Sequence, residues 1–209
     1  MYAAFMLASG VFWTLTYLLV IRRGLADRSY GMPVVALCAN LSWEFLFAVV
    51  RPANGVQEVV NLVWLALDLV IAFTVLRFGP REFAGVPKAV FYGGFLFTLV
   101  TAYLGVLFVS DELNAGQGTY AAFGQNLLMS GLFLAMLLSR RSLRGQSPAI
   151  AAAKLLGTAC ASAAFYFYGT GYAGSRLLPL LYLSILAVDL GYLAAVLAVR
   201  RNERRTQAG

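Results

Sequence analysis

At 209 residues, 61% of them hydrophobic and only 12% charged, the chain has too few polar side chains to clothe a soluble domain and reads as a polytopic membrane protein. Its formal charge of +7 sits at the ends of apolar runs, where basic residues orient helices, so the charge is topological and nucleic acid is not the partner. Histidine is absent, which excludes a Ser-His-Asp triad, a histidine metal site and imidazole acid–base catalysis; Cys38 and Cys160 lie in apolar runs and read as small buried hydrophobes.

In chain order, Tyr2 to Ile21 is apolar and followed by Arg22 and Arg23, the reverse of a signal peptide, so it is predicted to stay as helix 1. Pro33 to Val50 is helix 2: proline opens it where a missing N–H costs nothing, and Arg51-Pro52 closes it. Glu44 stands inside this run with Trp43 beside it, and Asn40, four residues earlier, shares its helical face. Val59 to Leu76 is helix 3, carrying Trp64 and Asp68 and ended by Arg77-Phe78-Gly79-Pro80. Val90 to Val109 is helix 4, and Thr119 to Leu138 is helix 5, with Gln125 and Asn126 at the depth of Glu44. Pro148 to Tyr168 is helix 6 with Ser147 as N-cap, and Leu177 to Val199 is helix 7, in which Tyr182 and Tyr192 flank Asp189 on its face. Connections are short and no internal repeat is visible. The expected fold is all-α: one bundle of seven transmembrane helices over residues 1–199, with a short, basic, disordered cytoplasmic tail over 200–209.

The basic residues fix an orientation. Arg22, Arg23 and Arg28 lie in the first connection, Arg77, Arg81 and Lys88 in the third, Arg140, Arg141 and Arg144 in the fifth, and four arginines in the tail, against Arg51 and Arg176 on the other side. This asymmetry places the C-terminus in the cytoplasm and the N-terminus outside, as an odd number of spans requires. Lys154, near the inner end of helix 6, is expected to snorkel.

Three acids remain at membrane depth: Glu44, Asp68 and Asp189. Each would cost about 3 kcal/mol if ionised and unpaired at the bilayer centre, so they are protonated, paired or hydrogen-bonded, and they are expected to meet in one cavity. Asp68 is open to a plainer reading as a bridge to a neighbouring helix, whereas Glu44 and Asp189 read as functional. Gln125 and Asn126 read as cavity-lining donors or as interhelical glue, and Phe165 to Tyr168 as an interfacial belt.

Three pattern matches fail on context. Gly169 to Gly174 fits the dinucleotide-binding spacing but follows a membrane helix rather than a strand. Asn40-Leu41-Ser42 spells a glycosylation site inside helix 2, and a retinal protein is excluded because helix 7 has no lysine for a Schiff base.

Asp27-Arg-Ser-Tyr-Gly-Met-Pro33, Ala36-Leu37, Asn40-Leu-Ser-Trp43-Glu44, Pro52 and Trp64-Leu-Ala-Leu-Asp68 resemble the integral-membrane terpene cyclases of fungal meroterpenoid and indole-diterpene pathways and their small bacterial relatives. The match is dense over the first third, with Asp189 as the later anchor. The resemblance implies that Glu44, of the Asn-x-x-Trp-Glu motif, and Asp189, of the last helix, start cyclisation. The bacterial drimentine-type branch, which this short Ala-, Leu- and Arg-rich chain is similar to, implies a farnesyl group on an indole-bearing or other aromatic molecule, a drimane-type product and a bacterial cytoplasmic membrane.

The residues suit that chemistry on their own terms. Protonating an alkene or epoxide needs a buried carboxylic acid with donors aimed at the carboxylate it leaves behind; Asn40 is a candidate donor, and Asp189 could share or relay the proton. The carbocation needs negative faces without nucleophiles, which Trp43, Trp64, Tyr182 and Tyr192 could offer, with Asn126 on the wall. The sequence contains neither an Asp-Asp-x-x-Asp cluster nor an Asp-x-Asp-Asp run. The expectation is a cyclase without metal or other cofactor, acting on a prenylated small molecule that comes sideways from lipid, with membrane lipids and no obligate protein as its other partners. The competing reading is a proton-coupled transporter using the same acids, against which stands the absence of proline at mid-membrane in helices 2, 3 and 7.

Overall fold

Prolines and arginines punctuate the apolar runs where the sequence places them. The computed structural model describes residues 1–52 and 55–208, as seven long α-helical segments: α1 Tyr2–Ala26, α2 Val34–Phe45, α3 Val56–Phe78, α4 Lys88–Asn114, α5 Thr119–Arg140, α6 Pro148–Tyr168 and α7 Leu177–Ala208. Pro33 and Pro87 stand at the N-caps of α2 and α4, and Pro148 opens α6, each at a position whose missing N–H has no helical partner. Ser147 caps α6 by accepting from the Ile150 N–H at 3.2 Å. Among the described residues six helices are long and apolar enough to cross a membrane; the Val34–Val50 segment is shorter.

That segment is short because it changes pitch. After Phe45 the chain continues as a π-helical turn, Leu46–Val50, closed by Arg51 N–H to the Leu46 carbonyl at 2.7 Å. The wider turn leaves the Phe47 carbonyl without a backbone partner, because its next donor would come from Pro52, which has no N–H. Asn61 of α3 supplies the bond instead, its amide donating to Phe47 O at 3.0 Å.

The helices form a ring. α1 packs on α3, α3 on α2, α2 on α5, α5 on α7, α7 on α6 and α6 on α1, while α4 lies outside against α2 and α5. The core within this ring is centred on Leu37, Ile71, Phe133, Ile150 and Tyr192, whereas α4 keeps most of its surface outward. At the arginine-rich end Glu82 receives Arg140 at 3.0 Å and Arg144 at 2.8 Å, together with the Ser29 hydroxyl, and the Arg140 guanidinium lies 4.3 Å over the Tyr30 ring. Burial against α4 and the connecting loops raises the Tyr30 phenol above its usual range, an effect that Arg140 partly offsets.

Two expectations are corrected here. The tail is not disordered: α7 continues through Arg200 and Arg204 to Ala208, because good helix formers extend it and Glu203 accepts the Leu143 N–H at 2.9 Å. Of the tail, Gly209 lies outside the described residues. Lys154 does not snorkel; it is fully buried and ion-paired to Asp189.

Candidate active site

The α-helical repeat puts Asn40 and Glu44 on the inward face of α2, one turn apart, and the ring brings α1 and α3 against that face. Tyr17 of α1 donates its hydroxyl to Glu44 Oε1 at 2.7 Å. The Asn40 amide lies 3.0 Å from the same oxygen, 2.8 Å from Asp68 Oδ2 and 2.5 Å from the Tyr17 hydroxyl. An amide nitrogen carries two hydrogens, so three acceptors compete for two bonds, and the pattern can shift without any heavy atom moving far. All four side chains are buried, Glu44 at 1% exposure and Asp68 at 0%. Two carboxylates sharing one amide in hydrocarbon cannot both carry charge, so the knot holds at least one carboxylic proton. Glu44 Oε2 and Asp68 Oδ1 have no hydrogen-bond partner.

Glu44 opens onto a cavity of about 330 Å³. Trp13, Tyr17, Trp43, Trp64 and Phe123 are among the rings that line it, and Asn40, Gln125 and Asn126 among its polar groups. The indole N–H groups of Trp43 and Trp64 are tied off, to the Gly118 carbonyl and the Thr14 hydroxyl, both at 3.0 Å, which leaves the ring faces as what the cavity sees. Gln125 donates to Asn40 Oδ1 at 3.5 Å, holding the amide so that its N–H groups point at the acids. Among the described residues no three His, Cys, Asp or Glu side chains gather closely enough to hold a metal ion.

Two of the three acids converge. Asp68 meets Glu44 directly as well as through Asn40, while Asp189 lies in a second polar cluster, joined to the cavity wall through Lys154 and Asn126. There Lys154 Nζ donates to Asp189 Oδ1 at 2.7 Å, to the Ser130 hydroxyl at 2.6 Å and to Asn126 Oδ1 at 3.4 Å, and lies 5.9 Å from the Trp13 ring. Asn126 in turn donates to Thr158 at 2.9 Å. Of the expected aromatics, Trp43 and Trp64 line the cavity; Tyr182 packs against Phe123 away from it, and Tyr192 is buried in the main core with its hydroxyl on Gln146. Gln125 and Asn126 prove to be both wall donors and interhelical bonds. The sequence reading passed over Tyr17, Trp13 and the partners of Asp189. A phenol near mid-span, far from the interfacial belt, and a lysine more than a turn inside an apolar run were the available signals.

A family model described as Pyr4-like transmembrane terpene cyclases matches residues 1–202. The chain is 29% identical to the Pyr4-family terpene cyclase mfmH of Annulohypoxylon moriforme, over 95% of this chain and 86% of that protein. It is 28% identical to the terpene cyclase pyr4 of Aspergillus fumigatus, over 97% and 88%, and 29% identical to the terpene cyclase atmB of Aspergillus flavus, over 96% and 87%. No solved structure matches it.

Proposed function

The chain belongs to the Pyr4-like transmembrane terpene cyclases, and from that premise we propose that it protonates the terminal alkene or epoxide of a prenyl chain, a farnesyl group on an indole-bearing or other aromatic molecule, and closes it into a drimane-type bicycle. The observation that carries this reading is the asymmetry of Glu44: Oε1 is held by Tyr17 and Asn40, while Oε2 is buried without a partner beside an aromatic cavity. Oε2 is the oxygen from which a proton leaves. When it does, the two donors on Oε1 stabilise the resulting carboxylate.

The proton adds to the CH carbon of the terminal alkene, leaving a tertiary cation at the carbon that bears the two methyl groups, and the neighbouring double bonds attack it in turn. With an epoxide, the proton adds to oxygen and the C–O bond breaks to give an alcohol. Trp13, Trp43 and Trp64 present ring faces that attract the migrating charge, and the N–H groups of Trp43 and Trp64 are already bonded. Loss of a proton to the Glu44 carboxylate ends the sequence, regenerates the acid and leaves a product of unchanged mass. Nothing in this cycle needs a metal or cofactor.

We further read the protein as seven spans with the N-terminus outside and the C-terminus in the cytoplasm, in the bacterial drimentine-type branch and the bacterial cytoplasmic membrane, with substrate arriving from lipid. Support for the orientation comes from the concentration of arginine on one end of the bundle; the named relatives are fungal. The test is to incubate membranes containing the protein with farnesylated and geranylgeranylated indoles, as alkenes and as terminal epoxides, and to search by mass spectrometry for isomeric products. Glu44→Gln, at equal folded protein, is expected to lower product formation at least about 10²-fold. An unchanged rate would remove Glu44 from the reaction.

A further inference from the structure

The two halves of the ring are built alike. α1 packs on α3 and α2 on α3; correspondingly α5 packs on α7 and α6 on α7, and the contact of α1 with α6 has its counterpart in that of α5 with α2. Register agrees residue by residue. Asn40 and Glu44 are the seventh and eleventh residues of α2; Lys154 and Thr158 are the seventh and eleventh of α6. Asp68 and Asp189 are each the thirteenth residue of their helix. In both halves the nitrogen at the seventh position donates to the acid at the thirteenth: Asn40 to Asp68 at 2.8 Å, Lys154 to Asp189 at 2.7 Å. The correspondence is one of packing and position rather than of letters, so a search for sequence repeats does not find it.

We propose that the protein carries one acid site and one neutralised copy of it, and that Asp189, with Lys154, is a positioning residue that does not deliver the reaction's proton. The proposal rests on the cyclase reading and sharpens it. At the position of Asn40 the second half has Lys154, ion-paired to Asp189 at 2.7 Å; at the position of Glu44 it has Thr158, which has no proton to give to an alkene. Neither Lys154 nor Asp189 lines the cavity. Their reach into it is indirect: Lys154 uses its three N–H bonds on Asp189, Ser130 and Asn126, and so fixes the amide of Asn126 on the cavity wall beside Trp13. With both charges present the pair adds no net charge near the cation's path. Losing either partner strands the other in hydrocarbon, so each single variant is expected to be inactive and unstable for reasons unrelated to proton transfer.

The decisive variant therefore removes both charges: Lys154→Met with Asp189→Leu. Infrared spectra of the purified protein in lipid nanodiscs are expected to show a protonated-carboxyl stretching band that survives in this double variant and disappears in Glu44→Gln. Loss of the band from the folded double variant would overturn the proposal, and that result does not depend on any substrate being found. With a farnesylated indole that the wild type cyclises, the double variant is expected to keep turnover within about tenfold and the wild-type pH profile. Its product mixture is expected to shift toward that of Asn126→Leu. A folded double variant that makes no product would equally overturn it. Failure of the wild type on every substrate would instead count against the cyclase reading and leave the infrared result standing.

Discussion

A single hydroxyl decides how well the acid site can hold charge. Tyr17 gives Glu44 Oε1 one of its two donors, the other being Asn40 on the same helix as the acid. A hydrogen bond to a charged group is worth about 1.5–3 kcal/mol, so Tyr17→Phe is expected to lower kcat about 10- to 100-fold with KM nearly unchanged, as steady-state kinetics on isolated membranes would show. An equal loss in KM alone would mean that Tyr17 binds substrate rather than supporting proton transfer. Glu44 and Asn40 were legible in the sequence because a carboxyl in an apolar run demands a partner one turn away. Tyr17 was not, because tyrosine is ordinary in membrane helices and only the packing of α1 against α3 shows which one points inward. Lys154 was misread for a related reason: its distance from the end of α6 permits snorkelling, and only the register of α7 shows that an acid waits opposite.

At the scale of elements, the cavity is shaped by a turn that a sequence pattern cannot reveal. The π-helical turn after Phe45 adds a residue to the repeat, and within it Phe47 stands beside Trp43, their rings 4.8 Å apart, on the same wall as Glu44. Hydropathy sees only another apolar stretch, which is why the expected helix 2 ran straight through. Gly118, at the start of α5, completes this wall: a β-carbon there would lie 2.6 Å from Trp43 Nε1 and closer still to the Phe47 ring. Gly118→Ala is therefore expected to push both rings into the cavity, raise KM severalfold and favour products that leave the cation before the second ring closes. Gly124→Ala, with nothing within 4 Å, serves as the matched control and should leave the product profile unchanged. The ends of the helices, by contrast, were readable from Pro33, Pro148 and Ser147, whose effects are local to the backbone.

For the whole molecule, the ring order could not be read from the chain, because apolar faces that meet lipid and faces that meet helices have the same composition. The arginine-rich end was readable, and the structure shows that these charges also bind the loops together through Glu82. Reporters fused at the two termini should be active on opposite sides of the membrane; activity on the same side would mean that the short Val34–Val50 segment does not span. Glu82→Gln breaks a largely buried cluster far from the cavity and is expected to cost about 3–5 kcal/mol of stability, lowering Tm without changing the product mixture. The ion pair between α6 and α7 also sets a schedule for biogenesis. Lys154 is synthesised thirty-five residues before its counter-ion, a delay of about 2–7 s at ordinary rates of translation. Until Asp189 emerges, α6 is a marginal passenger in the translocon, and its commitment to the bilayer waits on the last helix of the chain.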